Sequence, residues 1–385
     1  MEKLDYRINI LFNQGCFTRR FALFYINLMN KEFENMHFNK DQIEWAHSKG
    51  FLLESALAYG LNETNYKDYL SDYDYYRLWP LNSPYRIWIN DKLTLKYILP
   101  SNIFGDYLPR YYFYVKDNSI MYLLDCNQYR FKNDISGLKK LLREEKVLAM
   151  KLVNGTGSNE FYKLSFDNGF YLVNGQILKS EIEFEDFIFS KNYHIVTEYL
   201  FPTKELSLIH DKIHTIRLMV INQNGNDPEI VHGYLRFGTN AHGEANHLNT
   251  NDCKADYDYV VQIDIENGEF ENGTKVYSYK TEKCPFHPDT KVKAQGIIPG
   301  WNLLKEKVLE ISKYLFAVEY LGFDIGITEE GFKVIEINSH QGIKYLQVFR
   351  SLYDNRLTSD YFKYKLKEID NMNETDKKNR FLIPR

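Results

Sequence analysis

The sequence predicts an α+β protein, a mainly helical N-terminal region followed by a mixed α+β body, and three observations predict it. From Thr18 to about Arg77 the chain lacks proline and is dense in Leu, Phe, Tyr and Ala. Past Lys92 it changes to short β-type runs separated by Gly, Asn and Asp. Near the C-terminal end, Leu321 to Asn338 reads LGFDIGITEEGFKVIEIN, two β-rich runs around an acidic turn. With 385 residues, the chain suggests roughly two or three folding units of about 100–200 residues each.

In the helical region, Asp41 to Tyr59 starts at a plausible cap and places Ile43, Trp45/Ala46, Leu52/Leu53 and Leu57 near helical spacing. The stretch Trp79 to Pro84, with two prolines, breaks that pattern. Strands are expected at Tyr111–Val115, Val147–Val153, Glu160–Phe166, His194–Tyr199, Ile213–Ile221, Ile230–Phe237, Tyr259–Ile265, Leu321–Thr328 and Phe332–Ile337. Helices are expected near Ser136–Arg143, Ser180–Phe189 and Gly300–Ala317. The last twenty or so residues are mostly polar and read as a frayed tail.

Composition narrows the function. Lys+Arg number 48 against 52 Asp+Glu, a net charge of −4, which argues against a dedicated nucleic-acid partner, normally recognised by a basic excess. Four scattered cysteines, Cys16, Cys126, Cys253 and Cys284, do not make a disulfide framework. The first residues carry charges at Glu2, Lys3, Asp5 and Arg7, and no apolar run approaches the ~18–20 residues of a spanning helix. The expectation is a cytoplasmic protein with no membrane span. The 31 tyrosines fit either compositional bias or a stacking surface; Tyr66 to Tyr85 could stack sugars or pack as a helical cap.

The acidic hairpin carries the most chemistry. A three-residue loop, Glu329-Glu330-Gly331, would pair Thr328 with Phe332 and set Asp324 opposite Glu336. Period-2 alternation then gathers Asp324, Glu336 and Asn338 on one face and Ile325, Ile327, Ile335 and Ile337 on the other. Directly opposed carboxylates repel unless something neutralises them, and Asp, Glu and Asn oxygens suit a hard cation such as Mg²⁺. Alone, the hairpin could equally turn a polar face to solvent. Upstream, Lys151 ends a β-type run before Asn154-Gly155-Thr156-Gly157-Ser158, whose glycines allow close backbone approach to a phosphate. No Gly-Lys-Ser/Thr follows, so this is not a P-loop, and an ordinary hairpin turn would read the same. Arg217 and Arg236 lie inside apolar strands, where an arginine must bind phosphate, pair with a carboxylate or sit at a strand end.

The ordered set Lys151, Gly-rich loop, Glu198, Arg217, Arg236, Asp324 and Glu336-x-Asn338 resembles the ATP-grasp superfamily over about residues 85 to 350. The strings NDK (Asn90–Lys92), HPDT (His287–Thr290), GIIPGW (Gly296–Trp301) and FDIGITEEGFKVIEIN are similar to the branch associated with surface-polysaccharide gene clusters. The resemblance implies two α+β lobes with ATP between them, residues 85–200 and 201–385, after a helical region 1–84. It implies Lys151 and Lys92 on the nucleotide, and the backbone of Asn154, Gly155, Thr156, Gly157 and Ser158 as a phosphate flap. Glu198, Tyr199 and Leu200 would lie around adenine and ribose, and Arg217 and Arg236 would act on the transferred phosphoryl group. Asp324, Glu336 and Asn338 would hold Mg²⁺.

Two regions depart from the pattern: the segment 239–252 is rich in His and Asn rather than Gly, and the first ~80 residues do not look like the parallel-sheet domain that precedes many such modules. The implied activity is carboxylate activation by ATP and capture by an amine or other nucleophile, with a small-molecule or glycan acceptor and a carboxylate donor. A kinase using the same site and a non-catalytic nucleotide-binding partner are the alternatives. Dimers are common for this fold, so a homodimer is an expectation. A zinc site is a further alternative, because His242, His247, Cys253, Cys284 and His287 fall in one stretch with Cys284-x-x-His287 at ligand-like spacing. The pair Asp256/Asp258 reads as a solvated loop or an acid patch facing substrate.

Overall fold

In the computed structural model, residues 2–13, 15, 17–155, 160–239 and 257–380 are described. The first sheet is built from β1 (Tyr111–Lys116), β2 (Ser119–Tyr122), β3 (Val147–Leu152), β4 (Tyr162–Asp167), β5 (Phe170–Val173), β6 (Gln176–Ile177) and β7 (His194–Glu198). The strands run in the antiparallel order β2-β1-β7-β3-β4-β5-β6. Alternation decides its faces: Leu148 and Met150 of β3 and Val196 of β7 enter one core with Leu138, Leu141 and Leu142 of helix Ile135–Glu145 and Phe184 and Ile188 of helix Glu181–Phe189. Both helices start at side-chain caps, Asp134 accepting from Gly137 N and Ser180 from Glu183 N. The opposite face of β3 carries Ala149 and Lys151.

The second sheet contains β8 (Thr215–Ile221), β9 (Glu229–Phe237), β10 (Tyr257–Ile263), β11 (Glu269–Tyr277), β12 (Thr281–Lys283), β13 (Gly296–Ile297), β14 (Tyr320–Thr328) and β15 (Gly331–Asn338). Its order is β12-β11-β10-β9-β8-β14-β15, with β13 on β11. One face, with Ile216, Leu218, Leu235, Phe323, Ile325 and Ile337, packs against Leu304, Val308 and Ile311 of helix Trp301–Tyr314 and against Leu95 of helix Lys92–Ile98. The other face, with Met219, Ile221, Tyr234, Val260 and Tyr320, is covered jointly by the N-terminal helices and by Tyr361, Phe362 and Ile369 of helix Arg356–Asp370. Asn82 fastens the N-terminal region to this sheet. Its Oδ1 accepts from Glu319 N and Tyr320 N at 2.9 and 3.0 Å, and its Nδ2 donates to Tyr320 O at 2.6 Å.

Three expectations need correction. The helix expected over Asp41–Tyr59 is two helices, Lys40–Ser48 and Leu53–Tyr59, parted at Gly50 with φ +83°. The second has no cap of its own; Glu32 accepts from Leu53 N and Glu54 N at 2.9 and 3.0 Å, and Asp72 accepts from Leu52 N at 2.9 Å. Those partners lie about twenty residues away, so local sequence does not announce the helix start.

The tail is not frayed over its described part. Helix Arg356–Asp370 is capped by Asn355, helix Glu374–Asn379 follows, and the segment is docked by Arg77 to Asp370 at 2.6 Å, Lys365 to Glu319 at 2.9 Å and Arg380 to Leu78 O at 2.7 Å. The Tyr-rich segment packs rather than offering a stacking surface along its length: Tyr75 is buried, its hydroxyl donating to Gln341 O and lying 3.2 Å from that of Tyr320.

The third correction concerns the hairpin. Thr328 pairs with Gly331, not Phe332, which would slide Asp324 off Glu336. A bulge between Asp324 and Ile325 absorbs one residue, Ile335, and restores the Asp324–Glu336 pairing. Ile335 consequently leaves the core set, and Phe332 and Val334 take its place.

Candidate active site

The site begins with register. Asp324 of β14 is directly opposite Arg217 of β8 on one side and Glu336 of β15 on the other. Three neighbouring strands therefore place a cation and two anions in one row, on the face opposite Phe323 and Ile325. Arg217 grips Asp324 with a planar fork, Nε to Oδ1 at 2.7 Å and an NH2-group contact to Oδ2 at 2.8 Å. Lys92, the first residue of helix Lys92–Ile98, closes the other end, its Nζ 3.1 Å from Glu336 Oε2. Asn338 bridges the carboxylates, its Nδ2 donating to Asp324 Oδ2 at 3.1 Å and Glu336 Oε1 at 3.2 Å.

Electrostatics follow from this row. Burial raises the Asp324 carboxyl well above the ordinary carboxylate range; Arg217 opposes that rise and Glu336 adds to it. Burial also works against the Glu336 charge, but Lys92, hydrogen bonds from Asp324 and Asn338, and Arg217 together hold its carboxyl below the ordinary range. The adjacent carboxyls are thus displaced in opposite directions and titrate as a pair, as expected of close like-charged groups. Arg217, despite the burial that opposes its charge, is raised above its ordinary value by Asp324.

The first sheet supplies the opposing wall. Lys151 Nζ lies 5.9 Å from the Tyr111 ring centroid. Burial lowers its ammonium to about 8, and Lys92 pushes the same way against Glu336 and Glu198. Lys92 also donates to Gly155 O at 3.0 Å, tying the start of the Gly-rich segment to the acidic hairpin. Asn154 and Gly155 follow β3; Thr156, Gly157 and Ser158 lie outside the described residues.

Glu198 ends β7, where alternation turns it to the face of Leu148 and Val196, opposite that of Lys151. Its carboxylate accepts from Arg110 N at 2.8 Å and Arg110 Nε at 2.7 Å. Tyr199 and Leu200 follow, half-buried, with Lys163 Nζ 5.2 Å from the Tyr199 ring centroid.

Arg236 does not join the row. It sits on β9 opposite Thr215 and shares with Arg217 a cavity of about 370 Å³. Tyr277, Lys344, Tyr345 and Glu54 also line that cavity, and Lys344 reaches Glu54 at 3.0 Å. Asp258 is buried in β10, accepting from the Tyr345 hydroxyl, so the solvated-loop reading is corrected for it; Asp256 lies outside the described residues.

Sequence reasoning also missed Asn90 and Lys333. Asn90 locks the end of the hairpin, exchanging hydrogen bonds with Ser339 at 2.9 and 3.1 Å. Lys333 is buried, donating to Asp106 O at 2.8 Å with Glu198 Oε1 at 4.0 Å. A lysine in an apolar β-run was the available signal for Lys333.

The residues fit Mg²⁺ as a ligand set of oxygens on one face. Asn338 now points its amide nitrogen at the carboxylates, so presenting its carbonyl oxygen to an ion requires the amide to turn over. Among the described residues no helix is long and apolar enough to cross a membrane. Both described cysteines, Cys126 and Cys284, are free thiols.

Comparisons with known proteins bear on the family and not on these side chains. A family described as sugar-transfer associated ATP-grasp matches residues 88–358. No curated protein matches the sequence. Among solved structures, ATP-grasp ligase PsnB complexed with a minimal precursor is 13% identical, with 75% of this chain and 62% of that chain covered and a TM-score of 0.38. D-alanine–D-alanine ligase from Bacillus anthracis is 13% identical, with 73% and 66% covered and a TM-score of 0.34. D-alanyl-alanine synthetase A from Vibrio cholerae O1 biovar eltor is 11% identical, with 74% and 66% covered and a TM-score of 0.42. The matches thus span a little under two thirds of the length of these proteins.

Proposed function

Because this chain belongs to the sugar-transfer associated ATP-grasp family of ATP-binding enzymes, we propose that it is an ATP-dependent ligase that activates a carboxylate as an acyl phosphate and joins it to an amine or other nucleophile. The setting proposed is the modification or biosynthesis of a cell-surface polysaccharide. The observation that carries the reading is the row Arg217–Asp324–Glu336–Lys92, two adjacent carboxyls flanked by two cations and facing Lys151.

Asp324, Glu336 and Asn338 would hold Mg²⁺, which when bound neutralises the developing charge on the phosphates. The chain's own residues supply positioning. Lys92 and Lys151 hold the nucleotide phosphates between the sheets, and Asn154 to Ser158 cover them. Glu198, Tyr199 and Leu200 border the base and ribose. Arg217 pairs with Asp324 and would be the cation placed to stabilise the charge of the transferred phosphoryl group. Arg217, Arg236 and Lys344 outnumber Glu54 along the neighbouring cavity, which suits a carboxylate donor. Such a site works by orientation and charge stabilisation rather than by covalent chemistry.

The test is ATP-dependent phosphate release screened over sugar acids together with amino acids, followed by product analysis. A ligase releases free phosphate and forms an amide. A phosphorylated acceptor without free phosphate would assign the protein as a kinase instead, and no ATP consumption with any pair would sink the catalytic reading.

A further inference from the structure

Sequence spacing set His287 beside Cys284, but the fold gives it a different neighbour. Cys284 Sγ donates to Phe286 O at 3.1 Å, whereas the His287 ring lies 4.9 Å from that of His210, centroid to centroid. Both histidines are buried. They stand on the side of the second sheet that carries Phe237 and Tyr259, whose rings are 6.2 and 5.1 Å from His287, opposite the side of Arg217 and Asp324.

Two chain segments meet there. Thr290 donates to Ile209 O at 2.8 Å, and the same turn brings up the exposed carboxylate of Asp289. One donor atom from each of His210, His287 and Asp289 lies within 4.8 Å of the other two.

Two details point to a ligand. His287 donates Nε2–H to Gly238 O at 2.8 Å, the outer hydrogen bond that orients a metal-binding imidazole. His210 is 1% exposed, and its Nε2 has no hydrogen-bond partner among the described residues. Leaving a buried polar atom unsatisfied is costly. We propose that His210, His287 and Asp289 form a second metal site, for a divalent transition cation and zinc above all, which pins the turn 287–291 to the segment 208–212.

Two imidazoles and one carboxylate suit zinc, with water in the fourth position, whereas the oxygen set at Asp324 and Glu336 suits Mg²⁺. Tetrahedral coordination with bonds of ~2.0–2.1 Å needs donors about 3.3 Å apart, so the cluster must contract, chiefly by rotation of exposed Asp289. Coordination through His210 Nε2 moves that ring's proton to Nδ1. It gives up the long 3.3 Å contact from Lys212 N, and His287 Nδ1 likewise gives up its 3.3 Å contact from Asp289 N. The site is independent of the reaction proposed above.

The test uses the full chain, stripped with a chelator, re-equilibrated with a small excess of zinc and desalted in magnesium buffer. Elemental analysis should then find about one zinc per chain, with a melting temperature raised over the stripped protein. Asp289→Ala, at an exposed position, should weaken zinc binding by at least about tenfold, and His210→Asn should do so as well. Asp324→Asn should keep its zinc. Zinc-free wild type, full zinc in both Asp289→Ala and His210→Asn, or zinc lost in Asp324→Asn would each overturn the proposal.

Discussion

Arg217 lies directly across the β8–β14 ladder from Asp324 and holds both of its carboxylate oxygens, at 2.7 and 2.8 Å, while both side chains are buried. A pair of this kind contributes less through its own attraction than through what its loss exposes. Arg217→Ala would strand Asp324 beside Glu336 with no guanidinium. Urea denaturation is expected to show a loss of about 3–5 kcal/mol. A loss below about 1 kcal/mol would mean that water or Asn338 replaces the arginine.

Asp324→Asn and Glu336→Gln keep the shape of the row and remove its charge. ATP turnover in either variant is expected to fall by about 10²–10⁵-fold, with a wild-type circular dichroism spectrum. Normal ADP release by both variants would contradict the placement of the metal on these residues.

Acid should compete with the metal. Burial pushes the Asp324 carboxyl well above the ordinary carboxylate range, against the opposing pull of Arg217, so in mildly acidic solution an incoming cation must displace a proton. Mg²⁺ affinity, measured by titration calorimetry at fixed ionic strength, is expected to fall by up to about tenfold per pH unit as the pH is lowered through that range and to level off at higher pH. An affinity independent of pH from neutrality down to about 4, the ordinary carboxylate value, would contradict this competition between proton and metal at Asp324.

Lys151 predicts the opposite limb. With its ammonium lowered to about 8 by burial and by Lys92, it loses its charge as the pH rises from 7 to 9. ATP should bind more weakly across that interval. Lys151→Arg, which stays charged, should flatten the profile, and an unchanged slope in that variant would assign the pH dependence to another group.

How far the sequence spoke for itself depended on the range of the interaction. Asp324 opposite Glu336 was readable because strand alternation and a Gly-marked turn are local. The bulge at Ile335 that delivers the pairing was not, since no residue type in this stretch marks where one strand takes up an extra residue. The same limit explains the helix Leu53–Tyr59, whose first amides are bonded by Glu32 and Asp72. It also explains the helix Arg356–Asp370, whose polar face hid an apolar edge of Tyr361, Phe362 and Ile369. Within the site, Lys92 was visible only through its motif, because its contact with Glu336 joins segments more than two hundred residues apart. Arg236 lies on the strand next to that of Arg217 and lines the same cavity, a placement that cross-strand pairing sets and sequence order alone does not.

The clasp of Arg77 on Asp370 and of Arg380 on Leu78 O has a kinetic meaning. The core beneath it draws on Ile43 and Tyr75, on Met219 and Val260, and on Phe362 and Ile369. Such a core cannot close during synthesis until Phe362 and Ile369 have been made. Its early helices must wait, apolar side exposed, for partners some three hundred residues downstream. Contacts of such separation fold slowly and leave the waiting surface open to wrong associations. A chain made only as far as the second sheet, with that apolar surface still uncovered, is therefore more open to wrong association than the folded one.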